Sequence, residues 1–406
     1  MGSTVMASLS YRPQACPEQS RRGLSLIKLA AFALLSLTIA GCVPRTRPTT
    51  QLPTATVLRP EAPRVNPRLP ADETRNRVAV LVPLSGANAA LGQSVLNAAN
   101  LALLDTGGER IRITAYDTAT GAVPAANEAI AEGNGLILGP LLAEDVRAVA
   151  PVARAADVPV IAFSNDVSVA GGGVYVMGIA PGQSIQRVVA FARSRGATRF
   201  GALVPTNVYG QRASQAMTAA VEGAGARLVG VQTYDRTAAS MQAAGVRLNG
   251  QGQTDAVLIA DGARVAVQIG PVVRQSSPQP RLLATELWAT EANVGASVGL
   301  RGVWYAAPSD GLFNQFRTRY RARYNAMPFR LASLGYDAVL LAVRVAANWP
   351  VGRAFPVRAL REGDGFTGVD GAFRFGRDGI ADRALEVREV TATGTTIVSP
   401  APRAFN

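Results

Sequence analysis

Polar side chains sit where apolar runs break off into loops. In the first half these are Ser85, Asp117, Glu144, Ser164, Asn165 and Asp166, and in the second half Thr206, Asn207, Tyr209, Asp261 and Glu286. Hydroxyls, amides and carboxylates in this mixture can hold a small polar ligand, neutral or cationic rather than anionic. The same residue types are also ordinary turn formers, so each has a purely structural reading. Covalent chemistry has little to work with. The chain has no His and a single Lys, Lys28. A Ser-His-Asp triad, a His-ligated zinc site, a P-loop and a Ser-Lys dyad are therefore excluded from the body. Two-carboxylate catalysis needs a matched acid pair, and no pair here has a context that suggests one. The reading is a non-catalytic protein with no metal site and no cofactor.

A second reactive position lies near the start. Ile39-Ala40-Gly41-Cys42 closes a run that begins at Leu29, behind Arg21, Arg22 and Lys28. The apolar stretch is shorter than the ~20 residues that cross a bilayer. This pattern resembles the lipobox of bacterial lipoproteins, which implies cleavage before Cys42 and lipidation of its thiol. The alternative is an ordinary signal peptide or short anchor. The expected division is a signal peptide over 1–41 and a tether over 42–76. Translation starting at Met6 or later would shorten the leader, which also carries Cys16. With Cys42 lipidated, no disulfide is available to the body. Val43 after the Cys resembles outer-membrane sorting, so the expected location is the periplasm, tethered to the outer membrane.

The net charge is +13. Anionic envelope surfaces are the expected neighbours, and the export signal argues against nucleic acid. Residues 43–76 are rich in Pro, Thr and Arg without periodicity, which favours an extended spacer. At about 3.1 Å per residue it reaches on the order of 100 Å.

From residue 77 onward, strands and helices alternate. Strands are expected at 78–82, 111–116, 135–138 and 159–163, with helices at 89–104, 125–132 and 143–155. The pattern restarts with helices at 183–195, 209–224, 240–248 and 265–274. The strands of this second set fall at 200–204, 227–233, 256–260 and 281–284. Strands that are apolar throughout suit parallel sheets covered on both faces. The expected fold is α/β and two-lobed, each lobe a doubly wound, mostly parallel sheet, with a cleft at the carboxyl ends of the strands.

The body, 77–400, resembles type I periplasmic binding proteins of the leucine-binding kind. The resemblance rests on Val80-Leu81-Val82-Pro83-Leu84-Ser85-Gly86, Leu138-Gly139-Pro140-Leu141, Pro159-Val160-Ile161-Ala162 and Val208-Tyr209-Gly210. Gly368-Val369-Asp370-Gly371-Ala372-Phe373-Arg374-Phe375 with Asp378-Gly379 resembles the closing hairpin. It implies three crossings between lobes, with lobe 1 at about 77–178 and 306–350 and lobe 2 at about 179–305 and 351–400. Within that superfamily, Ala89-Ala90-Leu91-Gly92-Gln93, Gly139-Pro140-Leu141-Leu142 and Leu334-Gly335-Tyr336-Asp337-Ala338 are similar to lipoprotein activators of penicillin-binding proteins, the LpoA type. That group implies stimulation of a peptidoglycan synthase as partner. The departure is at the N-terminus, where the tether stands in place of a helical repeat domain.

Two functions compete for the cleft: activation of a penicillin-binding protein, and solute capture for an ABC transporter. Amino-acid receptors of this kind place hydroxyls after the third strand. Here the loop reads Leu141-Leu142-Ala143-Glu144-Asp145, whose acids repel a carboxylate or, alternatively, favour the start of the following helix. A candidate partner face is the Arg-rich stretch 316–324, with Arg317, Arg321 and Tyr324 on one side and Phe316, Tyr320 and Arg323 on another. The competing reading is a solvated helix with its aromatic side in the core.

Overall fold

The computed structural model describes residues 74–402 and 405, other than 277, 292, 293, 362 and 363. Cys42, the lipobox and the tether lie outside the described residues. The first lobe opens with β1 (Asn76–Val82), α1 (Ala89–Asp105), β2 (Ile111–Asp117), α2 (Ala122–Ala131), β3 (Leu136–Leu138), α3 (Ala143–Ala155), β4 (Val160–Ala162) and β5 (Val174–Val176). The strands form a parallel sheet in the order β2-β1-β3-β4-β5.

The second lobe begins with α4 (Pro181–Ser194), β6 (Arg199–Pro205), α5 (Val208–Gly223), β7 (Arg227–Tyr234), α6 (Ala238–Gly250), β8 (Ala256–Ile259), α7 (Ala263–Val273), β9 (Arg281–Ala284) and β10 (Trp304–Ala307). The chain then returns to the first lobe with α8 (Asp310–Tyr324), α9 (Ala332–Ala346), β11 (Phe366–Gly368), β12 (Gly371–Phe375) and β13 (Ala381–Arg383). It ends in the second lobe with β14 (Glu386–Thr391) and β15 (Gly394–Ser399), antiparallel edges of a seven-stranded sheet ordered β15-β14-β10-β9-β8-β6-β7.

The apolar runs become strands because both of their faces are covered. On β1, Val78, Val80 and Val82 pack with α1, α8 and α9, while Ala79 and Leu81 pack with α2 and α3. On β8, Val257 and Ile259 face α6 and α7, whereas Ala256 and Leu258 face α4 and α5. Side chains alternate between faces along a strand, so only a run without polar interruption serves two helical layers at once.

The lobes share one local device. A Cβ on Gly92 would lie 1.8 Å from the Pro83 carbonyl oxygen, and one on Gly210 would lie 1.8 Å from that of Pro205. In each lobe a Pro stands at the end of a strand, just past β1 and as the last residue of β6, and the next α-helix brings a glycine against that carbonyl.

By sheet and core membership the chain passes between the lobes three times, the last time after β13, later than the residue 350–351 boundary expected from the sequence. Phe355, Leu360, Phe366, Val369, Phe373, Phe375 and Ala381 are buried in the same core as Val78 and Leu334. Residues 351–383 therefore belong to the first lobe, not the second. The small antiparallel sheet β11-β12-β13 carries Phe366, Phe373 and Phe375, and these rings need the apolar cover that the first lobe supplies.

The Arg-rich stretch lies on α8. Phe313, Phe316 and Tyr320 are buried in the first core, while Arg317, Arg321 and Arg323 are exposed. Tyr324 donates its hydroxyl to the Asn97 carbonyl at 2.9 Å, so it joins the inward side rather than Arg317 and Arg321. The aromatic side is core, as the competing reading held.

Candidate functional site

The predicted cleft residues fall into small groups at the carboxyl ends of the two parallel sheets. At the end of β2, Asp117 Oδ1 accepts from the Leu84 amide at 2.7 Å and the Ala119 amide at 2.9 Å. Partial burial alone would raise its pKa. Hydrogen bonds from Ser85 and these amides outweigh that and hold it below the ordinary value. Ser85 and Asp117 are thus brought together, in the loop that follows β1. Glu144 stands apart, exposed in the first turn of α3 beside Asp145. Leu142 is the N-cap, so the two acids meet the helix dipole rather than cap it. Burial, followed by the charge of Glu144, raises Asp145.

Past β4, Ser164 is buried and its Oγ accepts from the Asp166 amide at 3.1 Å. Asn165 is exposed. Asp166 is buried and fully engaged. Its carboxylate accepts from the Ser168 amide at 3.0 Å and the Ser168 hydroxyl at 2.7 Å. It also pairs with Arg147 and Arg212, each at 2.5 Å. Burial would raise its pKa, but Ser168, Arg212 and Arg147 reverse the direction and keep it ionised. Arg147 comes from α3 and Arg212 from α5, so this carboxylate ties one lobe to the other.

In the second lobe Thr206 hydrogen-bonds Asp235. Asn207 is spent as the N-cap of α5, its Oδ1 accepting from the Gly210 amide at 2.8 Å. Tyr209 donates to Glu286 Oε1 at 3.0 Å and accepts from the Thr285 hydroxyl at 2.8 Å. Its phenol is raised by burial and then by the charge of Glu286. Burial pushes Glu286 up to about 7, and its Oε2 has no hydrogen-bond partner among the described residues. The nearby hydroxyl of Ser184 is given to the Ala306 carbonyl at 2.9 Å. Asp261 accepts from Tyr234 at 3.1 Å and from Arg236 at 2.9 and 3.0 Å.

Sequence reasoning missed Arg147, Arg212, Arg236 and Thr285, which supply most of these contacts. Arg212 had a legible signal: it follows Tyr209 by three on one helix, hence on the same side. Arg147 had the same signal, following Glu144 by three on α3, whereas Arg236 lies between elements and had none.

A second polar cluster joins the crossings themselves. At the third crossing Arg388 binds Asp310, donates to the Pro308 carbonyl at 2.7 Å and pairs with Glu386 at 2.7 Å. Asp310 and Pro308 belong to the second crossing. Arg330 then bridges Asp310 at 2.7 Å to Asp370 at 2.6 Å, with its guanidinium 3.9 Å from the Phe313 ring centroid. Arg383 donates to the Met177 carbonyl at 2.7 Å, linking the third crossing to the first. Asp337, buried beneath this cluster, accepts from the Val369 amide at 2.7 Å. Burial and then the Asp370 charge hold it above the usual carboxylate range.

Three cavities are described, of about 530, 400 and 390 Å³, and none of the predicted cleft residues lines them. Among the described residues no group of His, Cys, Asp and Glu is arranged to hold a metal ion. No helix there is long and apolar enough to cross a membrane.

This geometry can be set beside known proteins. A putative branched-chain amino acid ABC transporter protein from Rhodospirillum rubrum superposes with a TM-score of 0.69 at 20% identity, covering 80% of this chain and 100% of that one. The C-domain of LpoA from Haemophilus influenzae, a regulator of PBP1A, gives 0.64 at 18% identity, covering 80% and 100%. At these identities the likeness is one of fold. An uncharacterised protein of Rickettsia prowazekii is 28% identical over 142 residues, 34% of this chain. The match spans only 38% of that curated relative's length. A family model described as periplasmic binding protein matches residues 76–395. With the two-lobed fold, the three crossings and this match over most of its length, the chain belongs to the periplasmic binding protein family.

Proposed function

We propose that this protein is a non-catalytic partner-binding module that activates a peptidoglycan-synthesising penicillin-binding protein, held at the outer membrane by a lipid on Cys42. The observation that carries the reading is the Asp166 carboxylate, paired at 2.5 Å with Arg147 of its own lobe and Arg212 of the other. A solute receptor keeps its binding groups free for the ligand. Here Asp166, Asp261, Thr206 and Asn207 are engaged within the protein. The likeness to the LpoA C-domain, a regulator of PBP1A, points the same way. The lipid anchor and Pro-rich spacer expected from the sequence, ahead of a two-lobed body, would together meet the needs of a reach from membrane to cell wall.

One observation favours a second reading, a receptor for a small polar solute. Glu286 is buried with Oε2 unpartnered, beside Tyr209. A ligand ammonium or hydroxyl would satisfy that oxygen.

The experiment is affinity capture with the full chain from solubilised envelope, followed by mass spectrometry. Specific recovery of a bifunctional penicillin-binding protein is expected. Recovery of a transporter permease instead would transfer the assignment to the receptor.

A further inference from the structure

A depression of about 400 Å³ opens between α3 and the loop that leads into β5, beside the strand-end cleft, with which it shares Arg147. Arg147 and Arg154 of α3 wall one side, with Ser168, Gly171 and Gly172 opposite. All five are exposed. No Asp or Glu is among the residues that line it.

The depression is rich in hydrogen-bond donors and short of acceptors. Gly171, Gly172 and Gly173 run at φ of 102°, 57° and 95°, a left-handed path that side chains resist. The amides of Gly172 and Gly173 have no hydrogen-bond partner among the described residues. Arg154 donates from Nε to the Gly172 carbonyl at 3.0 Å. A Cβ at Gly172 would lie 2.2 Å from Arg154 Nη2, so the missing side chain is what lets the guanidinium lie against the loop. Among the described residues no carboxylate pairs with Arg154. Arg147 is 3.0 Å from Ser168 Oγ and pairs with Asp166, but Asp166 is shared with Arg212. Three guanidinium groups thus stand against one carboxylate, and a surplus of positive charge remains at the depression.

This donor set selects for shape as well as charge. A carboxylate presents two oxygens in one plane. A phosphate presents oxygens tetrahedrally and can meet a guanidinium fork on one side and loop amides on another. We propose that this depression binds the phosphate of a small polar phosphoester. The volume leaves room for the group that carries it. Two sources share this chemistry, a free phosphomonoester and the diester headgroup of an anionic phospholipid. The proposal is independent of the partner assignment above.

The test is calorimetric titration of the full chain, in phosphate-free buffer of low ionic strength, with three probes: inorganic phosphate, glycerol 3-phosphate and glycerophosphoglycerol. Saturable binding of at least one probe is expected, weakened about tenfold by Arg154→Gln and weakened also by Gly172→Ala. Arg323→Gln, an exposed arginine on α8, should leave it unchanged. Circular dichroism checks that each variant remains folded. Tighter binding of the monoester supports the site and assigns it to free phosphoesters. Tighter binding of the diester supports it and assigns it to lipid headgroups. No saturable binding of any probe, or binding that Arg154→Gln leaves intact, overturns the proposal.

Discussion

The cleft and the crossings are built from the same pieces, arginines against carboxylates, in different surroundings. In the cleft the cations reach out into water: the side chains of Arg147 and Arg236 are 53% and 56% exposed. At the crossings Arg388 and Arg330 are 5% and 10% exposed, and Asp370 is fully buried. Solvated pairs contribute little, about 0–1 kcal/mol each. A buried pair adds little net stability when intact, yet it costs about 3–5 kcal/mol to break by removing one partner. The cleft contacts therefore occupy candidate binding groups without fastening the lobes strongly, whereas the network at the crossings ties the connecting segments to one another. Cleft groups already taken up within the protein suit a partner-binding role better than a trap that closes on solute.

The sharpest way to break this contrast is Arg388→Met. It strips Asp310, Glu386 and the Pro308 carbonyl of a shared donor. A loss of about 3–5 kcal/mol is expected from denaturant unfolding. A loss under about 1 kcal/mol would place the crossings in the same class as the cleft.

Next comes Glu286→Gln, read against pH. Burial raises the folded-state pKa of Glu286 from 4.5 to about 7. Between those values the folded state keeps a proton that the unfolded state has lost. Its stability contribution is then complete below pH 4.5, falls as pH rises through 7, and is level above that. The neutral amide escapes this loss. The variant should be more stable than wild type at pH 8, by up to roughly 3 kcal/mol, with no gain at pH 4. Thermal melts at the two pH values check this. A gain that is equal at both would show that ionisation of Glu286 is not the cause.

Asn207→Ala removes the N-cap of α5 and should cost about 1 kcal/mol, measured by chemical denaturation. The smallest effect belongs to Arg212→Gln, which takes the α5 arginine off Asp166 but leaves Arg147 and Ser168 on that buried carboxylate. Its expected cost is about 0–1 kcal/mol, falling with added salt. Solution scattering should show an unchanged radius of gyration. Visible opening of the lobes in that variant would show that the cleft bridge, not the network at the crossings, sets their angle.

Much of the fold was legible because its strands are unbroken apolar runs. The stretch 78–82 could hardly be anything but a strand buried on both faces, and 143–155 matches α3 at both ends. Short β5 and β10 escaped notice, since Tyr175, Trp304 and Tyr305 break the aliphatic run that marks β3 and β4 at similar length. The hairpin at Gly368 and Gly371 was legible as a turn. Its lobe was not, because aromatic residues say that they need cover but not which core provides it. The candidate residues were legible as strand-end positions rather than as contacts. Ser85 with Asp117, and Tyr209 with Glu286, were named without being paired. The network at the crossings left no trace in the sequence: Arg330 meets Asp370 across 40 residues and Arg388 meets Asp310 across 78. No local spacing encodes such meetings.

The most direct test of partner activation is the rate of glycan-strand polymerisation by a purified bifunctional penicillin-binding protein, with and without the full chain. Activation predicts a faster rate that saturates with added protein and survives Glu286→Gln. An unchanged rate at saturating protein, together with a small polar solute that raises the melting temperature of wild type but not of Glu286→Gln, would contradict it and make the protein a solute receptor.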